Sequence, residues 1–599
     1  MKKILGKQIR TKHYVLSTQK GFTLIEVLMG ISILMMITFG IYFTFGNVLE
    51  IINRTRDWTL ARSLLDREIE FLRSLQYGDV GIVGGAPAGL LLQERTELYE
   101  AKEFTINAFV RNIDDAFDGT VEGDPADSAP ADYKLVELQI NCENCLNFKQ
   151  MEFTTWVAPE NLETTSSNGS LFINVFDANG EPVADADVRV ENNLLDPTVT
   201  IIDSTDNAGQ LKLIDIPPSV NGYEITVTKT GYSSAQTYLP DAPENPNPIQ
   251  PHSTVSMQDV TLISFAIDKV STIELTSQDH FCQAVSSVSF TNQGDRLIGS
   301  DPDVFLYDQP ATTNSSGNKT ISDLPWDVYD LAENSTAYDA AGWWPMVPLE
   351  LNPDTTTELT YVLVPAASSS LVVTVLDGST GLPITSPASV QLTKAGFSET
   401  KQTGEWSFGQ TDWQGFQYIT QDGLIDSEGI MGQLTLFGAG VYPTGTNSWL
   451  VSNAFDLGTP VTQFNSISWA PNPQPSQTSL WFQLASNNDQ VTWMFVGPDG
   501  TANTYYTTPG QAVGLFHDGN QYLRYRILMN TLNASRTPML TDMTVKFSSG
   551  CTPPAQAFWN GLSAGTYTIT VTKSGFANAT SSISVTSDWQ EEQITLIPQ

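Results

Sequence analysis

Apolar and polar positions divide this chain into a helical front and a long alternating remainder. From Phe22 to Phe45 almost every position is apolar, and Glu26 is the one charge among 24 residues. As a helix rising ~1.5 Å per residue, this run is ~36 Å long, enough to cross a ~30 Å hydrocarbon core with some tilt. Six positive charges precede it (Lys2, Lys3, Lys7, Arg10, Lys12 and Lys20), which places that side in the cytoplasm and the rest of the chain outside. From 47 to 77 the apolar residues Val48, Leu49, Ile52, Trp58, Leu60, Leu64, Leu65, Ile69, Leu72 and Leu75 recur mostly three or four apart, with charges between them. That spacing predicts an amphipathic continuation of the helix, stopped by Gly78, Gly81, Gly84, Gly85 and Pro87. Segments 104–110, 133–140 and 151–157 alternate with period two and predict a short sheet.

An ordinary secretory signal has a shorter apolar core and a small-residue cleavage site after it; here the glycine stands before the core. The stretch Lys20-Gly21-Phe22-Thr23-Leu24-Ile25-Glu26 resembles the processing region of type IV pilin and pseudopilin precursors. The resemblance implies cleavage after Gly21 by a prepilin peptidase, methylation of the new amine of Phe22, and pairing of Glu26 with the Phe22 amine of a neighbouring subunit during assembly. A carboxylate is expensive in lipid and calls for a partner. The residues alone also fit a simple signal anchor whose Glu26 snorkels to the interface.

From Gly169 onward the pattern is all-β. Leu171–Val183, Ala208–Pro217 and Tyr223–Tyr232 read as strands and turns of about 80 residues that resemble the carboxypeptidase regulatory-like (prealbumin-like) β-sandwich, a spacer or binding domain. The pattern repeats. Gly317–Tyr329 and Asn560–Phe576 echo the stretch from Gly209 to Tyr232, and Leu371–Pro383 echoes the opening of the first copy. The third copy is therefore interrupted. Its insertion carries Ser448–Gly458, Leu480–Ala485, the alternating Tyr522-Leu523-Arg524-Tyr525-Arg526 and a Pro538-led strand. This order resembles discoidin-like jelly rolls; the match is one of pattern and not of ligand residues, so it carries over no ligand chemistry.

The expected fold is thus multidomain: a long N-terminal α-helix, transmembrane then amphipathic, with a small pilin-like sheet, followed by mainly-β sandwiches and an inserted jelly roll. The expected boundaries are a leader at 1–21, the assembly helix at 22–46 and a pilin-like α+β domain at 47–165. A sandwich at 169–240 follows, then a stiff Pro-rich linker at 241–256 and a divergent sandwich at 257–366. A split sandwich at 368–414 and 551–599 encloses the jelly roll at 415–550.

Composition narrows the function. The net charge of −37, or −43 without the leader, repels nucleic acid and suits a solvated, outward-facing protein. With 41% hydrophobic and 10% aromatic residues it is no disordered polyanion. Cys142 and Cys145 read as a small disulfide loop outside the cytoplasm in preference to half a zinc site or a redox pair, because no second CxxC or His pair accompanies them. Asp114, Asp115, Asp118, Asp124 and Asp127 cluster between predicted strands. They read first as solvated acidic turns and second as a calcium loop, which some pseudopilins possess. No phosphate-cradling glycine loop, His-Glu-x-x-His or Gly-x-Ser-x-Gly occurs, so no enzyme and no organic cofactor are expected. Trp343, Trp344, Trp406, Trp413, Tyr505, Tyr506 and His517 fall on loop-like segments and are candidate contacts to a glycan or protein; Trp469, Trp481 and Trp493 read as core.

Together these features predict a cleaved, membrane-inserted filament subunit, minor or at the tip, with an adhesive ectodomain and other pilin-like subunits as partners. The competing expectations are a type II secretion pseudopilin touching exported proteins and an anchored adhesin that never polymerises.

Overall fold

A computed structural model describes residues 23–599 apart from 125, 146 and 161–164, and apart from the side chain of Phe416. The leader, Gly21 and Phe22 lie outside the described residues. The chain divides into two compact units: residues 1–174, 187–225 and 253–264 in the first, and 175–186, 226–252 and 265–599 in the second.

In the first unit one helix, α1 (Leu24–Ser74), runs unbroken for 51 residues, ~76 Å at 1.5 Å per residue. Ala61, Leu64, Leu65 and Leu72 on its second half are buried against a four-stranded antiparallel meander. The strands are β1 (Glu94–Tyr99), β2 (Lys102–Ile113), β3 (Tyr133–Cys142) and β4 (Met151–Val157). β2 and β3 are paired over ten residues from Phe104↔Cys142 to Ile113↔Tyr133, and alternate residues of both are buried. β1 has no apolar alternation: Glu94, Arg95, Glu97 and Tyr99 make it an edge strand held by charge, Arg95 pairing with Glu68 of α1 and with Glu97. The glycines after the helix form a tight loop, since a Cβ on Gly81 would lie 2.4 Å from the carbonyl oxygen of Ala88. Lys134 ties that loop down, its buried ammonium donating to the carbonyls of Tyr77 and Val80 at 3.0 and 2.6 Å.

The β-rich remainder is built from three copies of one topology. In each, an opening strand pairs antiparallel with a strand that follows a short turn or an insertion: Gly169–Phe176 with Gln210–Ile216, Ser271–Gln278 with Asn318–Leu324, and Ser370–Asp377 with Gln556–Asn560. In the second and third copies the opening strand also pairs in parallel with the closing strand, Thr356–Pro365 or Trp589–Leu596. The facing sheets place Asp187–Asn192, Ser289–Gly294 and Ser389–Lys394 at equivalent positions, each next to its hairpin partner. Each copy fixes a buried tyrosine in the same way. Tyr223 donates to the Pro217 carbonyl (2.5 Å), Tyr329 to Pro325 (2.8 Å) and Tyr567 to Ser563 (2.9 Å).

The turn that spans Ser204 to Gln210 in the first copy and Thr312 to Asn318 in the second is replaced in the third by the whole insertion. The inserted domain opens at Trp406–Gln410, earlier than the expected 415, because this strand pairs with Asp542–Ser549 of the insertion's own sheet. Its core includes Trp413, Trp469, Phe482, Tyr506 and Tyr525. The 241–256 stretch is not an extended linker. Asn245 and Asn247 bind the carbonyls of Ile298 and Ser300, so the prolines fold back onto the second copy. Cys282 is joined to Cys551 by a disulfide, 269 positions apart, and Cys142 to Cys145.

Candidate functional site

The most distinctive surface is the first half of α1. Every side chain from Leu24 to Leu49 is exposed, among them Leu28, Met36, Phe39, Tyr42 and Phe43 at 55% or more. Contiguous apolar area of this extent is not left in water. The segment is long and apolar enough to cross a membrane. The Thr23 hydroxyl caps the helix by accepting the Glu26 amide at 3.3 Å, so the carboxylate stands in the first turn, where the helix dipole favours negative charge. Glu26 is exposed and makes no side-chain ion pair among the described residues.

The acidic cluster is only partly convergent. The Asp114 carboxylate accepts the Val121 amide (2.7 Å), Asp127 accepts Ala129 (2.9 Å) and Asp115 accepts Phe117 (3.1 Å). One oxygen each of Asp114 and Asp127 is buried without a partner. Burial, together with Asp127 and Asp118, pushes the Asp114 carboxyl above its ordinary range. Asp118 and Asp124 point to solvent. Among the described residues no three metal-ligating side chains come together.

The aromatic candidates separate into different environments. Trp413 is core, 1% exposed, its indole donating to the Tyr525 hydroxyl at 2.7 Å. Tyr506 is fully buried on the same core and His517 is 2% exposed with Nδ1 at 2.8 Å from the Ser486 hydroxyl. All three side chains are buried in the inserted domain, so the expectation of ligand contact at Trp413, Tyr506 and His517 is corrected. Tyr505 is half-buried and stacks on Trp481 at 5.5 Å. Trp493, read as core, lies outside any strand, under the Arg524 guanidinium at 4.3 Å. Trp343 and Trp344 lie on a strand, Tyr338–Trp344, that has no counterpart in the other two copies. Trp344 is half-buried; Trp343 is 4% exposed and stacks on Tyr361 at 5.7 Å, yet it lines a cavity of about 440 Å³. Trp589, Glu333 and Glu591 are among the other lining residues, and no repeat or spacing in the sequence marks them.

Residues 16–42 match the family described as the prokaryotic N-terminal methylation motif. No curated protein matches the chain. Among solved structures, the Bacillus anthracis TIE protein is similar over 85% of this chain at 11% identity and a TM-score of 0.15; the chain spans 61% of that protein, less than two thirds. A streptococcal ancillary pilin (12% identity, 38% of this chain, 75% of that one, TM-score 0.17) is also similar. So is GBS52, the minor pilin of Streptococcus agalactiae (14%, 33%, 97%, 0.17). Likeness of this degree assigns no function. What the motif and the fold establish is that this chain carries a prepilin-type methylation segment on a helix long and apolar enough to cross a membrane, ahead of a mostly-β ectodomain.

Proposed function

We propose that the protein is a minor or tip subunit of a type IV pilus-like filament, cut after Gly21 by a prepilin peptidase and methylated at Phe22. The observation that carries this reading is the bare apolar half of α1 with its single acid, Glu26, in the first turn. In the membrane, the segment anchors the precursor with the ectodomain outside. In a filament, helix-to-helix packing covers it, and the Phe22 amine of a neighbour neutralises Glu26, fixing the axial register. Three sandwiches and an inserted domain behind one such helix are too bulky to repeat along a densely packed shaft, which favours a sparse or terminal position. The ectodomain then adheres to a surface, a glycan or another protein.

The test is to shear filaments from cells that carry the wild type or Glu26→Val and to probe both fractions with an antibody to the ectodomain. Wild-type protein in the filament fraction, at the ends by immunogold, with the variant confined to membranes, supports the proposal. Equal retention of both chains in membranes leaves an anchored adhesin. Loss of exported proteins on deletion, with no filament label, points to a secretion pseudopilin.

A further inference from the structure

The cavity beside Trp343 is built from pieces that the other copies lack or use differently. The additional strand Tyr338–Trp344 supplies Tyr338, Asp339 and Trp343, the strand Asp327–Glu333 supplies Asp330 and Glu333, and the closing strand Trp589–Leu596 supplies Trp589 and Glu591. Four carboxylates line it and no lysine, arginine or histidine does.

The polar groups differ in how well they are met. Asp339 is satisfied by the Ser370 hydroxyl (2.6 Å) and the Ala367 amide (2.9 Å). Glu591 accepts from Thr374 and Gln593 at 3.1 and 3.2 Å through one oxygen. The Trp589 indole donates to the Ala340 carbonyl at 2.7 Å. The Trp343 indole N–H, on a side chain 96% buried, has no acceptor. An orphaned buried donor is costly and uncommon in native proteins. Burial, opposed by the Ser335 amide and reinforced by Asp339, pushes the Glu333 carboxyl up to about 7, so its charge is under-compensated.

Each observation restricts the ligand. The carboxylates and the absence of basic residues call for a cation. The flat face of Trp589, about a third exposed and packed beside Trp343 with ring centroids 6.1 Å apart, takes the apolar face of a ring or alkyl body. The Trp343 N–H needs an acceptor oxygen. A neutral sugar leaves the carboxylates uncompensated, and a plain alkylammonium leaves the indole N–H unmet. We propose that this cavity, lined by Trp343, Trp589, Glu333 and Glu591, binds an amino sugar bearing a free ammonium group. The ammonium meets Glu333 and Glu591, the ring lies against the Trp589 indole, and a hydroxyl accepts from Trp343. A cavity of about 440 Å³ admits one or two such rings. The inference rests on the reading of the ectodomain as a surface-binding device, but is independent of filament assembly.

The test is titration of the full chain in detergent micelles with the glucosamine dimer, its N,N′-diacetyl form, cellobiose and butylamine, followed by tryptophan fluorescence and calorimetry. Saturable binding of the glucosamine dimer, at least tenfold tighter than the other three, supports the proposal. So does a tenfold or greater loss in Glu333→Gln and Trp343→Phe, provided their unfolding midpoints show them folded. Equal binding of cellobiose overturns the amine requirement, equal binding of butylamine overturns the sugar, and no binding by the folded wild type overturns the site. That last outcome leaves the filament fractionation unaffected, so failure here and failure of the filament reading are distinguishable.

Discussion

The guanidinium of Arg111, on β2, grips the carboxylate of Asp203, on the Val199–Ser204 strand, through two hydrogen bonds, one of 2.6 Å from Nε. Asp203 is almost fully buried and Arg111 about three-quarters so. The pair joins the pilin-like sheet to the first sandwich within one compact unit, beside bonds from Gln93 to Ile202 and from Asn112 to Ile214. Asp203→Ala strands a partly buried cation and is expected to cost about 3 kcal/mol. Chemical unfolding of the full chain in micelles reads this; a loss under 0.5 kcal/mol would mean that the junction is held without the pair.

The repeated tyrosine bond makes a comparable prediction on a smaller scale. Tyr567→Phe removes the donor to the Ser563 carbonyl while keeping the ring in its pocket. The expected loss is about 1 kcal/mol, as for a single net hydrogen bond. Tyr567→Ala also leaves a cavity and should cost about 3–5 kcal/mol. A near-zero effect of the Phe variant would assign the tyrosine's role to packing alone.

Much of this architecture was legible in the chain because Gly317–Tyr329 and Asn560–Phe576 echo the stretch from Gly209 to Tyr232, and the helix follows from apolar spacing alone. β1 escaped detection because its pairing to β2 is secured by Arg95, Glu97 and Glu68 rather than by apolar alternation. The 241–256 stretch reads as a stiff linker by composition, whereas Asn245 and Asn247 bind carbonyls some fifty residues away, which no local pattern reveals. Aromatic residues on loop-like segments were misleading for a related reason. Trp413 and Tyr506 sit outside strands and nevertheless fill the interior of the inserted domain. The Trp343 cavity depends on strands more than 200 residues apart in sequence, so only the tertiary structure assembles it.

Burial holds the His517 imidazole down to about 4, with Ser486 on Nδ1, the Phe464 and Phe516 rings beside it and Nε2 without a partner. Its neutral form is favoured in the folded chain, so its contribution is intact above pH 6.5 and is lost as the pH falls toward 4. The size of that loss is about 2–3 kcal/mol. Unfolding midpoints of wild type and His517→Gln at pH 7.5 and 4.5 check it. The wild type should lose the larger amount on acidification, and parallel losses would place the imidazole in contact with water.

The Cys282–Cys551 disulfide closes a loop containing most of the second sandwich, the first three strands of the third and all of the inserted domain. Cys551→Ser with Cys282→Ser should destabilise the second unit by about 2–4 kcal/mol without changing its far-ultraviolet spectrum. An unchanged midpoint on reduction would show that the unfolded ensemble gains nothing from release of the loop.

The most direct test of the filament account is intact mass and N-terminal sequencing of the chain recovered from sheared filaments and from membranes. The account predicts a filament-borne chain that begins at N-methylated Phe22. A chain that retains Met1 and is found only in membranes would contradict it.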